Sequence, residues 1–249
     1  MPRVNPSDTD VLILCGGQGV RFRSVRNDIP KCLAPIRGRA FLDRLLDNLI
    51  DQGFRRFILA TGYLGNQIEG HLQNRQDAVY AFSREAKPLG TGGAIKLAES
   101  IVKSNPFLIL NGDSFIDHPL QALLDYHQEY GADVSILLSS VTKGLDYGNV
   151  EVGLDHRVIS FSEKTTETST RLTNAGVYCL NNEVLETLER SQFNSLERDC
   201  LPNWVSDFVV VGLNTDKVIY DIGTADRYLA AQKAQFAFQQ PDLKEQVQN

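Results

Sequence analysis

Cysteine is scarce in this chain: Cys15, Cys32, Cys179 and Cys200 are the only four in 249 residues. None forms a C-x-x-C pair or lies beside two histidines, which excludes a zinc site and a disulfide framework and leaves the reduced thiols of an intracellular protein. Long apolar runs are missing as well. No stretch approaches the ~20 residues that span a bilayer, and the opening MPRVNPSDTD lacks the apolar segment of a secretory signal. A cytoplasmic protein with no membrane partner is expected. Positive charge is in deficit, with 25 Lys and Arg against 31 Asp and Glu and a formal charge of −6, so no nucleic-acid partner is expected. Internal repeats, low-complexity segments and Pro- or Ser-rich linkers are absent too.

What is present is an ordinary globular composition, 42% hydrophobic and 22% charged. The length suits a single α/β domain with a large core. Val11–Cys15, Phe57–Thr61, Ala78–Phe82, Phe107–Leu110 and Val134–Val141 read as strands. Between them, Phe41–Gln52, Asn66–Leu72, Thr91–Val102 and Leu120–Tyr130 read as helices. In the first of these, Phe41, Leu42, Leu45, Leu46, Leu49 and Ile50 share one face, and Gly53 ends it. The second half is richer in short β runs: Asn149–Val152, Val158–Ser162, Gly176–Leu180, Phe208–Val211 and Val218–Tyr220. Helices are expected there over Glu183–Leu188, near Leu196–Trp204 and over Ala225–Phe238. The pattern predicts one domain over 1–240, with a parallel-sheet half (1–115), a mixed half (116–240) and a polar tail over 241–249.

Charge is unevenly spread. Residues 1–40 hold seven basic side chains against three acidic ones. Such an excess is either a solvated face or an anion site. The run Leu14-Cys15-Gly16-Gly17-Gln18-Gly19-Val20-Arg21 follows the first strand, and its glycines let backbone N–H groups face an anion with no Cβ in the way. It matches neither of two common phosphate loops. Phe22 stands where a dinucleotide fingerprint needs its third glycine, and the Gly-Lys-Ser/Thr of a Walker A loop does not occur in the chain. Arg21 and, after Pro30, Lys31 add a forked and a point positive charge, a combination suited to a triphosphate.

With these residues the chain resembles the sugar-phosphate nucleotidyltransferases. Their usual L-A-G-G-x-G-T-R … P-K is met here as L-C-G-G-Q-G-V-R … I-P-K-C-L-A-P-I. Cys15 for Ala is a small-for-small exchange, whereas Val20 for Thr removes a hydroxyl from the phosphate loop. Pro88-Leu89-Gly90-Thr91-Gly92-Gly93-Ala94 is similar to the family's base-binding loop, and Asn111-Gly112-Asp113 to its metal-binding strand end. Asp146-Tyr147-Gly148-Asn149-Val150, Phe161-Ser162-Glu163-Lys164 and Asn174-Ala175-Gly176-Val177-Tyr178 are similar to its sugar-phosphate site. Tyr220-Asp221-Ile222-Gly223-Thr224 resembles the segment with the second metal ligand. Each motif alone is weak; the ordered set is specific. The resemblance implies an α/β fold: a Rossmann-like three-layer sandwich with a mostly parallel central sheet and a smaller β-rich sugar-binding part.

It also implies the chemistry. An oxygen of a sugar 1-phosphate attacks the α-phosphorus of an NTP, and pyrophosphate leaves. Both reactants are anions, so neutralisation and in-line alignment matter more than a general base. His71, His118, His127 and His156 lie outside every motif, and surface or capping roles are expected for them. Mg²⁺ is the implied cofactor, with Asp113 and Asp221 as ligands; read alone, each is equally a turn or helix-start carboxylate. The implied nucleotide contacts are Leu14, the amides of Gly16, Gly17 and Gly19, Arg21, Lys31, Glu85, Gly90, Thr91 and Asp113. Arg21 is assigned to the departing pyrophosphate and Lys31 to neutralising the phosphates. Lys164 is assigned to the acceptor phosphate, with Tyr147, Gly148, Glu163 and Asn174 around the sugar. An exposed charge pair is the other reading of Glu163-Lys164.

The implied base reader is Glu85, five positions before Gly90. An ionised carboxylate only accepts hydrogen bonds. Guanine offers N1–H and its 2-amino group side by side, whereas thymine and uracil offer one donor between two acceptors and suit an amide better. GTP is therefore the expected nucleotide; the alternative is an exposed Glu in the polar run Ser83-Arg84-Glu85. The combination E-A-K-P-L-G-T-G-G-A-I, L-N-G-D-S-F and Y-D-I-G-T most resembles the D-glycero-α-D-manno-heptose 1-phosphate guanylyltransferases, which implies GDP-heptose for a bacterial surface glycan such as lipopolysaccharide or capsule. The alternatives are a mannose or glucose 1-phosphate nucleotidyltransferase using GTP or a pyrimidine nucleotide, and a catalytically silent nucleotide-sugar-binding regulatory subunit. Intact Arg21, Lys31, Asp113, Lys164 and Asp221 disfavour the last. Relatives of this kind are often oligomeric, so a homo-oligomer stays open, and no appended acyltransferase domain is expected.

Overall fold

Residues 2–22, 26–142, 148–162, 172–190 and 192–233 are described in a computed structural model of the chain. In chain order the strands are β1 (Asp10–Leu14), β2 (Pro35–Ile36), β3 (Arg39–Ala40), β4 (Arg56–Thr61), β5 (Val79–Arg84), β6 (Phe107–Asn111), β7 (Ser114–Ile116), β8 (Val134–Ser139), β9 (Asn149–Val152), β10 (Val158–Ser162), β11 (Leu172–Leu180), β12 (Val210–Thr215) and β13 (Ile219–Asp221). The α-helices are α1 (Phe41–Asp51), α2 (Gly65–Leu72), α3 (Gly90–Ala98), α4 (Leu120–Glu129), α5 (Leu201–Asp207) and α6 (Ala225–Lys233).

Nine strands share one sheet. β6, β1, β4 and β5 run parallel, as do β8 and β12, and β11 lies antiparallel between the two groups. β11 pairs with β8 along one edge; its other edge is shared, β6 taking Val177–Leu180 and β9 taking Leu172 and Thr173. The β9–β10 hairpin is thereby grafted onto one end of β11.

Strand alternation sorts the core into two layers. Val11 and Ile13 of β1, Phe57 and Leu59 of β4, and Leu108 and Leu110 of β6 face α1, α2 and α4. Leu12, Ile58, Phe107 and Ile109 face the opposite way, towards α3 and α5. Apolar residues on both faces are what a sheet covered by helices on both sides requires, and the result is the expected three-layer sandwich. Leu12 is fully buried in the central strand. We expect Leu12→Ala to cost about 2–5 kcal/mol in denaturant unfolding; a loss below about 1 kcal/mol would contradict the packing described.

Most elements fall where the periodicity puts them, and the differences have local causes. The helix expected over Thr91–Val102 ends at Ala98, because Ile101 and Val102 turn back to hydrogen-bond the Ala98 carbonyl and Arg56 takes the Ile101 carbonyl. The strand expected from Gly176 starts at Leu172; Gly176 lies within it, at φ +71, where the register with β8 shifts. Glu183–Leu188 forms a 3-10 turn over Asn182–Thr187, and the helix near Leu196 is a π-turn, Leu196–Cys200, running into α5. The last helix is described to Lys233; its expected continuation to Phe238 and the tail lie outside the described residues. No helix among the described residues is long and apolar enough to cross a membrane. All four cysteines are free and buried.

Candidate active site

β1, β4, β5 and β6 end on the same edge of the sheet, where ligands of open α/β folds bind. The residues just past those ends surround a cleft of about 490 Å³. Hydrogen bonds from the Cys15 amide to Ala60 O and from the Gly112 amide to Leu14 O carry the ladder to the last residue before the glycine loop. Gly19 turns the loop at φ +57, and the Phe22 amide closes the turn on the Gly19 carbonyl. Phe22 is buried edge-on against Tyr228, ring centroids 5.3 Å apart, and anchors the short Val20–Phe22 turn. Arg21 stays exposed on that turn and lines the cleft.

Lys31 opens the Lys31–Leu33 turn, pinned by buried Cys32. Its ammonium pairs with the Asp113 carboxylate at the end of β6. Burial pushes that carboxyl up, but the charge and hydrogen bond of Lys31, a backbone hydrogen bond and the nearby Arg21 outweigh it and hold Asp113 below the ordinary carboxylate range. Leu14, Gly16, Gly17, Arg21, Lys31 and Asp113 all line the cleft. Gly19 sits just outside this lining, and a Cβ there would lie 3.6 Å from Lys31 Cβ.

On the far side, Glu85 follows β5 directly, its amide bonded to Thr61 O. The Leu89 amide donates to its Oε2 at 3.0 Å. Burial raises the carboxyl above its usual range, and the Leu89 hydrogen bond offsets only part of this. The bland reading of Glu85 as an exposed member of a polar run is corrected: it is a half-buried cleft residue with no cation against it among the described residues. Gly90 and Thr91 line the same wall at the start of α3. The Thr91 hydroxyl is already engaged, accepting from the Leu196 amide and donating to Glu197. The amides of Gly92 and Gly93 are taken by Asn194 O.

The third wall comes from β11 and the chain before β9. Gly148 and Asn174 line it. Asn174 donates to the Tyr178 hydroxyl at 2.7 Å and accepts from the Gly176 amide at 3.0 Å, which leaves one N–H and one oxygen lone pair for other partners. Tyr178 in turn donates to Glu197 Oε1 at 3.2 Å. Burial, with Glu197 beside it, keeps the Tyr178 hydroxyl un-ionised. Glu197 is the residue that sequence reading missed: it lines the cleft and joins Thr91, Tyr178 and Asn174 into one hydrogen-bonded wall. It carries no distinct signal in the sequence, since Glu197 is the first of the consecutive charged residues Glu197-Arg198-Asp199. Tyr147, Glu163 and Lys164 lie outside the described residues.

Asp221 is not part of the cleft wall. β13 pairs with β7 so that Asp221 faces Ser114, and the Ile222 amide donates to Asp113 O at 3.0 Å, which makes the two aspartates backbone neighbours. The Asp221 carboxylate, only 8% exposed as a residue, accepts from the Gly223 amide and pairs with Arg227 at 3.3 Å. Two carboxylates at neighbouring strand ends, one of them facing the cleft, suit an oxygen-liking cation that takes its remaining ligands from phosphates and water. No cluster of three or more His, Cys, Asp or Glu suited to a metal occurs among the described residues.

The histidines are all away from the cleft lining. One departs from the expected surface role: His127 is buried between Ser135 Oγ at 2.9 Å and Asn181 Oδ1 at 3.1 Å, tying α4 to β8.

Comparison with known proteins bears directly on this arrangement. The chain is 36% identical over 225 residues to the D-glycero-alpha-D-manno-heptose 1-phosphate guanylyltransferase of Aneurinibacillus thermoaerophilus, covering 90% of this chain and 97% of that protein. It is 33% identical to the mannose-1-phosphate guanylyltransferase catalytic subunit beta of Drosophila pseudoobscura pseudoobscura, covering 89% of this chain and 61% of that one. The crystal structure of HddC from Yersinia pseudotuberculosis complexed with GMP-PN superposes with a TM-score of 0.80 at 33% identity, over 90% of this chain and 98% of that one. Residues 10–237 match the family described as Nucleotidyl transferase, and the chain belongs to that family.

Proposed function

We propose that this protein transfers GMP from GTP to D-glycero-α-D-manno-heptose 1-phosphate, giving GDP-heptose and pyrophosphate in the cytoplasm for a surface glycan such as lipopolysaccharide or capsule. The observation that carries the nucleotide assignment is Glu85: a half-buried carboxylate in the cleft whose partner among the described residues is one backbone amide. Each carboxylate oxygen has lone pairs left for the paired donors of guanine, which would relieve the cost of its burial. The end-to-end likeness to a heptose 1-phosphate guanylyltransferase and to a structure complexed with GMP-PN supports the same reading. Mannose 1-phosphate is the second acceptor to test, on the 33% identity to a mannose-1-phosphate guanylyltransferase.

In this reading the amides of Gly16, Gly17 and Gly19 bind the nucleotide phosphates, and Lys31 leaves Asp113 to neutralise them. An acceptor phosphate oxygen forms the new bond to the α-phosphorus as the bond to the pyrophosphate oxygen breaks, and Arg21 takes up the charge that departs. Lys164 holds the acceptor phosphate, while Glu163, Asn174, Tyr147 and Gly148 surround the sugar. Asp113, with Asp221 freed from Arg227, would hold Mg²⁺, which neutralises phosphate charge when bound. The test is pyrophosphate release with Mg²⁺ for four NTPs against heptose, mannose, glucose and N-acetylhexosamine 1-phosphates. GTP with the heptose is expected to be fastest. A pyrimidine nucleotide outrunning GTP overturns the base assignment, and mannose 1-phosphate outrunning the heptose overturns the sugar.

A further inference from the structure

Gly62 belongs to none of the motifs above and does not line the cleft. It follows β4 and opens the turn closed by the Gly65 amide on the Gly62 carbonyl. Its φ is not in the left-handed region, so the backbone there is one that any residue adopts. What excludes a side chain is space. A Cβ on Gly62 would lie 2.5 Å from Glu85 Oε1, 2.8 Å from Cγ and 3.0 Å from Cδ. Gly16 of the phosphate loop adjoins the same place: a Cβ there would lie 3.0 Å from the same Oε1 and 3.3 Å from the Gly62 nitrogen.

We infer that Gly62 is a positioning residue for base selection: its missing side chain is the pocket in which the Glu85 carboxylate rests. Glu85 is held at three places, by its amide on Thr61 O, by Oε2 on the Leu89 amide, and by Oε1 lodged against the backbones of Gly62 and Gly16. The first two hold any rotamer that reaches Leu89; the third keeps the carboxylate in the space that the missing side chains of the two glycines leave open. The three atoms nearest to a methyl group at position 62 all belong to the movable Glu85 side chain, so Glu85 is the group that gives way. The inference rests on Glu85 reading the base. Gly16 is a poor probe because its amide serves the phosphates; Gly62 separates the two effects.

The test is Gly62→Ala, alone and with Glu85→Ala, in the full chain. Pyrophosphate release from GTP, ITP and ATP should show the preference for GTP over ATP falling about tenfold or more, through KM, with kcat within about threefold of wild type. In the Glu85→Ala background the same change should alter neither parameter, because the Cβ then has room. A readout free of catalysis follows Glu85 itself by carbon-13 NMR of labelled glutamate. Its carboxyl should titrate above the usual carboxylate range in the wild type and fall back towards that range in Gly62→Ala, where it is pushed out of its buried position. An unshifted titration, or an equal effect of Gly62→Ala with and without Glu85, overturns the inference. If Glu85→Ala keeps the preference for GTP, the guanine reading itself falls, whatever Gly62 does to the carboxylate.

Discussion

Asp113→Asn is expected to lower pyrophosphate release about 10³-fold or more while the protein remains folded. The substitution is nearly isosteric and removes only the charge, at a residue on which both Lys31 and Arg21 act. Lys31 pairs with it, Arg21 acts on it, and Asp221 is joined to it through the β7–β13 ladder. The structural cost is small because the pair is not sealed from water: the Lys31 side chain is 20% and the Asp113 side chain 31% exposed. Loss of a partly solvated pair costs on the order of 1 kcal/mol, or about 2–4 °C in Tm. The pH dependence has a definite sign. A carboxyl held below its unfolded value contributes stability above that value and loses it as pH falls through the lowered folded pKa. The Tm difference between variant and wild type should therefore be present at neutral pH and shrink below about pH 4. Wild-type pyrophosphate release from Asp113→Asn would remove Asp113 from the catalytic centre.

Glu85→Gln is the second change with a large expected effect, and it acts on choice of base. An amide offers one acceptor and one donor side where guanine presents two donors, so kcat/KM for GTP should fall about 10²-fold, the consequence of leaving a buried polar group mismatched. UTP and TTP should lose less, or gain. ITP, which lacks the 2-amino group, should be a poor substrate for the wild type and close to GTP for the variant. Equal losses across all nucleotides would mean that Glu85 does not read the base. Stability should move the other way. The Glu85 carboxyl is raised by burial, so its contribution to folding is complete below the unfolded value and is lost as pH rises through the folded one. Gln carries no such penalty. The variant should melt above the wild type at pH 7, with the gap closing near about pH 4.

Much of this architecture is written in local sequence. The strands of the parallel half announce themselves as short apolar runs, and α1 as a face of leucines ended by Gly53, because both are consequences of burial repeating along one segment. That Gly16, Gly17, Arg21 and Lys31 stand together at the cleft was equally legible, since turns and charges close in sequence stay close in space. Three features were not legible. The Lys31–Asp113 pair joins residues 82 apart and exists only because β1 and β6 are neighbours. Glu197 enters the cleft through a π-turn that helical periodicity does not foresee. The two-residue strands β2 and β3 are too short to show alternation, and their turn at Arg37 and Gly38 depends on φ angles of 51° and 79°. The first depends on which strands pair, the second on a local π-turn and the third on backbone angles, none of which the apolar pattern of one sequence reveals.

β11 works as a ruler. Its first residues carry Asn174 to one wall of the cleft, and three residues later Val177 pairs with Leu110 of β6, which leads directly to Asp113 on another wall. Gly176 between them lies so close to Asn111 that a Cβ there would sit 2.6 Å from its Nδ2. The span between the place expected for the acceptor and the place expected for the phosphate under attack is therefore set by a few backbone bonds in a hydrogen-bonded ladder.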